Sequence, residues 1–223
     1  MNVYYFPDFE NVLKEIYLMR SNEKLKLIEG IEGVKFDRAD CYNFSFYKNK
    51  KGAFVVDSFN LDLIGGFVQR CLNDRKVPSV VLFCSTISLD RMKAILELGL
   101  KRENLLIVGA RNFSLEELEF FNLEKIKLIG LSTLLNNLDE ITETIMEFCY
   151  GKELFLGLSG GVVDPAFISA KNQEVYGMSV RECISIVSRI GRMKNLDSLE
   201  LYDFEKSKKE ERVMAKIVGE IVF

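Results

Sequence analysis

The chain has 223 residues, 48% hydrophobic and 28% charged, with a net charge of -3. That balance fits a soluble globular protein whose core is large enough to be stable alone, and it argues against a dedicated nucleic-acid binder, which needs a cationic surface for phosphate contacts. There is no histidine, so Ser–His and Cys–His nucleophile pairs, HExxH zinc sites and a histidine general base are all excluded.

The first 51 residues carry the weakest pattern. Val3 to Phe6 reads as a strand, and Asp8 after Pro7 as the cap of a helix with Phe9, Val12, Leu13 and Ile16 along one face. From Asn22 to Lys51 the sequence predicts connecting segments and an edge element. After Gly52 a rhythm sets in: Ala53 to Val56 as a strand, then Leu61 to Leu72 as a helix with Leu61, Ile64, Val68 and Leu72 turned inward. Ser79 to Phe83 is a strand, Leu89 to Leu98 a helix, and Leu105 to Val108 a strand. Ser114 then caps a helix in capping-box register with Glu117. Lys127 to Ile129 is a strand, Asp139 to Cys149 a helix, Ser179 to Ile190 an amphipathic helix, Ser198 to Tyr202 a strand, and Lys206 to Val222 a closing helix. Short buried strands alternating with helices predict an α/β fold of three layers, α/β/α, around a mostly parallel, doubly wound sheet. One domain over residues 1–223 is expected. The mixed-sign run Lys206 to Arg212 reads as a solvated helix face, and the phenylalanines as core.

No apolar run approaches the roughly 18 residues of a membrane span, and the start of the chain lacks the regions of a signal peptide. A cytoplasmic location without membrane or nucleic-acid partners is therefore expected. The five cysteines, Cys41, Cys71, Cys84, Cys149 and Cys183, form an odd set with no CxxC spacing, which predicts reduced, mostly buried thiols.

The stretch Leu154 to Phe167, LFLGLSGGVVDPAF, is the natural place for a site. A buried strand runs into Ser159-Gly160-Gly161 and ends on the turn-forming pair Asp164-Pro165, and loops leaving the carboxyl ends of strands hold ligands in open α/β sheets. Small residues there could cradle a phosphate. In that reading Ser159 to Gly161 resembles the SGGxDS loop of ATP pyrophosphatases, although an extra residue precedes Asp164 and no serine follows it. The frame Gly157 to Phe167 is also similar to the SxDxDxxDPxF strand end of the ureohydrolases, arginase and agmatinase, with Ser159 and Gly161 in the places of two metal-binding aspartates.

Further segments resemble the same family in order and spacing. Gly109 and Arg111 fall in its G-[IL]-R turn. Gly177-Met178-Ser179-Val180-Arg181-Glu182 is similar to its GG-[LM]-[ST]-x-R-E helix start, and Ser198 to Leu201 to the strand whose glutamate contacts the substrate guanidinium, here Glu200. Val80 to Leu89 falls on the strand ending in DAHxDL, and Val55 to Asn60 on the GGDH turn. The resemblance runs from about Gly52 to the C-terminus and leaves residues 1–51 poorly matched.

The resemblance implies an arginase-like fold, trimers or hexamers, and two manganese ions whose bridging hydroxide attacks a guanidinium carbon. The departures point elsewhere. The positions of the metal ligands are Asn60, Cys84, Thr86, Ser88, Ser159 and Gly161, with no carboxylate or imidazole among them, whereas hard divalent ions need several anionic oxygens. The binuclear site and its manganese cofactor are therefore expected to be absent. The expected function is a non-catalytic binding or assembly subunit, partnering with itself or an active relative and able to take a small guanidino or amine ligand. Two alternatives stand beside it: a C–N hydrolase with altered chemistry through Cys84 and Glu200, and a nucleotide-binding protein using the Ser159–Gly161 loop. For Cys84, burial and inertness weigh against activation by the nearby helix start. For Glu200, a plain ion pair with a lysine or arginine is the alternative to a ligand-facing role.

Overall fold

The computed structural model describes residues 2–5, 36–38, 52–55, 59–171 and 173–222. Among the described residues eight strands form one sheet: β1 (Asn2–Tyr5), β2 (Phe36–Arg38), β3 (Gly52–Val55), β4 (Pro78–Phe83), β5 (Leu105–Ala110), β6 (Lys127–Gly130), β7 (Glu153–Ser159) and β8 (Leu196–Tyr202). Their order is β2-β1-β3-β8-β7-β4-β5-β6, and every ladder between them is parallel. The edge element expected between Asn22 and Lys51 is β2. The helix expected from Asp8 lies outside the described residues.

Every residue of β4 and β5, and all but the first of β7 and β8, is buried. Strands covered on both faces read as continuous apolar runs, and this is why the central sheet could be recognised from short unbroken segments. The helices are α1 (Leu61–Asn73), α2 (Leu89–Glu97), α3 (Leu115–Glu124), α4 (Leu131–Asn136), α5 (Leu138–Cys149), α6 (Val180–Gly191) and α7 (Lys208–Val222). Contacts run α1 to α2 to α3 in one group and α4 to α5 to α6 to α7 in the other, giving the two outer layers of an α/β/α sandwich. The largest fully buried side chains, among them Phe67, Phe83, Phe155 and Phe204, fill the space between layers.

The helix starts follow local chemistry. Ser114 accepts from the Glu117 N–H while the Glu117 carboxylate accepts from the Ser114 N–H, and Ser179 and Glu182 repeat the arrangement at α6. Each box satisfies backbone donors that the first helical turn leaves free.

Two expectations are corrected. Leu72 is 48% exposed, because the buried stripe of α1 is centred on Ile64, Phe67, Val68 and Cys71, which leaves Leu72 on the rim. The run Lys206 to Arg212 is not wholly solvated: Glu210 and Glu211 are buried. Glu210 Oε1 accepts from the Ser169 N–H at 2.7 Å, and its other oxygen accepts the Ser207 hydroxyl. These bonds tie the start of α7 to the connection after β7, a long-range contact that charge patterning within one helix cannot reveal.

Candidate functional site

Strand register decides which loops meet. Val55, Leu201, Leu158 and Phe83 lie side by side on β3, β8, β7 and β4. One residue further on, Ser159 pairs with Tyr202, and Cys84 follows Phe83. The carboxyl ends of four strands far apart in sequence are thereby brought to one place, the usual position of a site in such a sheet.

Glu200 lies one residue before that row, paired with Phe54 and Gly157, with none of its surface exposed. Its Oε1 accepts from the Asn60 N–H at 2.8 Å, whereas Oε2 is buried with no hydrogen-bond partner. The partner is thus a backbone N–H, not the lysine or arginine considered from the sequence. Burial pushes the Glu200 carboxyl well above the ordinary carboxylate range; the Asn60 bond opposes this, nearby Asp203 adds to it, and Arg91 opposes it. Tyr202 is likewise raised well above its ordinary value, first by burial and then by the proximity of Cys84, Glu200 and Asp203. Glu200, Tyr202, Asp203 and Cys84 therefore share one dry neighbourhood with Arg91 as its cation. Phe59 packs edge-on against Tyr202, ring centroids 5.3 Å apart, and the Arg91 guanidinium lies over Phe59 at 5.4 Å.

The six positions matched to metal ligands take different roles. Asn60 is the N-cap of α1, its Oδ1 accepting from the N–H groups of Asp62 and Leu63. Ser88 is exposed and caps α2 through the Arg91 N–H. Ser159 Oγ accepts from the Gly161 N–H at 3.1 Å and donates to Asp203 Oδ2 at 3.4 Å. Gly161 sits in the 3-10 turn Gly160–Val162, its carbonyl accepting from Arg111 Nη2 at 3.0 Å. Thr86 is half-buried in the connection from β4 to α2. Cys84 is buried, its thiol pushed up to about 12 by burial in spite of Arg91. Asn60, Cys84, Ser159 and Gly161 thus gather at the sheet end with Glu200, while Ser88 lies outward at a helix cap.

This geometry bears on two alternatives. Ser159 to Gly161 does not offer a phosphate cradle: all three residues are buried, and the Gly161 N–H is held by Ser159 Oγ. A Cβ on Gly160 would come within 2.9 Å of the Ala170 Cβ and 3.1 Å of the Asp203 carbonyl, so the turn is packed against other chain. Burial also weighs against an activated Cys84, because it pushes the thiol up to about 12 and so disfavours the thiolate. Cys71, Cys149 and Cys183 are also buried, and Cys41 lies outside the described residues. Maleimide labelling of the native protein at pH 7 is expected to modify Cys84 no faster than Cys71, Cys149 or Cys183, and mass spectrometry of peptides reads this directly. Preferential capture of Cys84 would show a reactive thiol instead.

Asp203, Tyr202, Arg91 and Phe59 are the members of this neighbourhood that sequence reasoning missed. Asp203 is buried and has a positive φ of 61°, a conformation aspartate tolerates better than most residues. Its only sequence signal is its place directly after a predicted strand. Asp164, by contrast, acts as its turn context suggested: Oδ1 accepts from the Ala166 N–H and Oδ2 from the Gly177 N–H, closing the loop between them.

Comparison with known proteins follows the same lines. The sequence matches the family described as Arginase family over residues 39–223. No curated protein matches it in sequence. Among solved structures it is similar to an arginase of Entamoeba histolytica, in complex with L-ornithine, with a TM-score of 0.74 at 13% identity over 100% of this chain and 98% of that one. It is similar to formimidoylglutamase of Bacillus subtilis with a TM-score of 0.78 at 11% identity, covering 99% and 85% of the two chains. A hypothetical agmatinase of Burkholderia thailandensis gives 0.76 at 12% identity, covering 99% and 83%. With a family match over most of its length, and the strand order and loop-end site laid out above, the chain belongs to the arginase family.

Proposed function

We propose that this chain is an arginase-family protein that has lost the binuclear manganese site and guanidino hydrolysis, and that it works as a binding or assembly subunit. The observation that carries this reading is the use now made of the former ligand positions. Asn60, Ser88 and Ser159 engage their side-chain oxygens as caps of α1, α2 and the 3-10 turn, and the Cys84 thiol holds its proton. Neutral donors of this kind do not offset the charge of two divalent ions, so the residues present do not fit the pair of manganese ions expected of a ureohydrolase, and no catalytic step is derived through them.

What persists is Glu200, buried, with one oxygen free of partners. A guanidinium or ammonium group of a small ligand would supply the missing partner and take the place of the carboxyl proton. Self-association, or pairing with an active relative, follows the family's habit of forming trimers or hexamers.

The test combines metal and ligand. After manganese loading and desalting, elemental analysis is expected to find far less than one ion per chain, with no urea released from arginine or agmatine; stoichiometric metal with turnover would end the proposal. Calorimetric titration with agmatine is expected to show affinity rising by up to about tenfold per pH unit below the raised Glu200 pKa, because binding the cation expels one proton. An affinity indifferent to pH would remove Glu200 as the ligand-facing group.

A further inference from the structure

The Glu200 neighbourhood is closed in this structure, with Glu200, Cys84, Tyr202 and Asp203 all buried. A ligand reaches Glu200 only when part of the surround moves. The loop between Asp164 and Gly177 is the part built to do so. Its neck is fixed: the Asp164 N–H donates to the Met178 carbonyl at 2.8 Å, the Met178 N–H to the Val162 carbonyl at 3.0 Å, and the Gly177 N–H to Asp164 Oδ2 at 3.0 Å.

The two limbs of the loop are held differently. Residues 168–171 are anchored through backbone to the chain leaving β8. The Lys171 N–H donates to the Asp203 carbonyl at 2.8 Å, the Glu205 N–H to the Ser169 carbonyl at 3.1 Å, and Ala170 forms a bridge with Phe204. Residues 174–176 instead reach the chain leaving β5, where side chains make the contacts. Glu174 Oε2 accepts from Asn112 Nδ2 at 2.5 Å, and the Tyr176 ring lies 5.4 Å from the Arg111 guanidinium carbon. Because β7 and β4 lie between β8 and β5 in the sheet, the loop spans the carboxyl ends of both. Cys84 lies between the two attachments: the next residue, Ser85, accepts from the Arg111 N–H at 3.0 Å, and Asp203 adds to the effect of burial on the Cys84 thiol.

The side-chain attachment is incomplete. Arg111 Nη2 donates to the Gly161 carbonyl at 3.0 Å, whereas Nε and Nη1 are buried without a hydrogen-bond partner. Unpaired buried donors of a charged group cost free energy that hydration returns. Moving residues 174–176 off Arg111 therefore recovers part of what the lost contacts contribute, and the backbone bonds at the other limb offer no such compensation.

We propose that the loop between Asp164 and Gly177 is a lid over the Glu200 neighbourhood, hinged at Ser169 to Lys171 and latched by Glu174 on Asn112 and Tyr176 on Arg111, whose release admits the ligand. The purpose of opening rests on the ligand-facing reading of Glu200, but the latch is tested without a ligand, because Cys84 lies beneath it.

Labelling of the full chain with a small maleimide at pH 8, read by mass spectrometry of peptides, reports the opening. Asn112→Ala with Tyr176→Ala is expected to raise the Cys84 rate by about tenfold or more, through loss of a charge-assisted hydrogen bond and a cation–ring contact. Cys71, Cys149 and Cys183 are expected to keep their rates. Val175→Ser, on the same limb at an exposed residue, is expected to leave Cys84 unchanged. If the double variant accelerates all four cysteines alike, Asn112→Ala alone carries the comparison, with an expected rise of about threefold at Cys84 only. An unchanged Cys84 rate in the latch variants, or an equal rise from Val175→Ser, would overturn the proposal. Failure of agmatine to bind, with Cys84 released as expected, would count against the Glu200 reading and leave the latch standing.

Discussion

Glu200→Gln is expected to stabilise the protein at neutral pH, with a gain that grows as pH rises. In the unfolded chain the carboxyl ionises near its ordinary value of 4.5, whereas burial keeps it protonated in the fold to a higher pH. Between those two values the native state holds one proton more than the unfolded state, so stability falls as pH increases, by up to about 1.4 kcal/mol per unit. Below the unfolded value the contribution disappears, because both states are protonated. Glutamine preserves the acceptor for the Asn60 N–H and carries no titrating proton, so it removes the slope. Urea denaturation of both proteins at pH 5, 6, 7 and 8 should give curves that diverge with pH, the variant being the more stable. Parallel stability profiles would mean that Glu200 is ionised in the fold and balanced by a cation. The same buried, neutral carboxyl underlies the agmatine test, since a ligand cation would compete with that proton.

The second large effect belongs to the loop that closes over the carboxyl end of β7. A Cβ on Gly177 would lie 2.6 Å from each of three backbone atoms, the Asp164 nitrogen, the Val162 oxygen and the Val163 carbonyl carbon. Backbone cannot rotate aside as a side chain can, and the Gly177 N–H is also the donor to Asp164 Oδ2. Gly177→Ala is therefore expected to cost about 3 kcal/mol, the upper range for overpacking, and to lower the melting temperature by roughly 6–12 °C for a chain of this size. Gly219→Ala is the matched control: it lies within α7, and a Cβ there would meet nothing within 4 Å. That change is expected to leave stability unaltered or raise it by up to about 1 kcal/mol, through helix propensity. Equal effects of the two substitutions would contradict the close approach at Gly177.

Much of the scaffold was legible from local chemistry. Unbroken apolar runs such as Val80 to Phe83 and Leu154 to Leu156 marked strands covered on both faces, and Ser114 with Glu117 placed a helix start to the residue. The positions that the resemblance matches to metal ligands could be named from the sequence, because each follows a strand recognisable by its apolar run. What could not be read was how those side chains are used. Asn60 and Ser88 as caps were within reach of sequence rules, but the Ser159 bond to Asp203 spans 44 residues and the Glu200 bond to Asn60 spans 140. Leu72 was misplaced because a shift of the buried helical stripe by a fraction of a turn leaves the periodicity intact while moving a rim residue out of the core.

The sequence by itself determined the alternation of strands and helices and the lack of imidazole, since these depend only on residue type and spacing along the chain. The tertiary structure alone decided that Glu200 is dry with one oxygen unpartnered, and that Asp203, Tyr202 and Arg91 surround it. Burial and the distance between charges set protonation and attraction, and both arise only when the parallel register brings separate strands side by side.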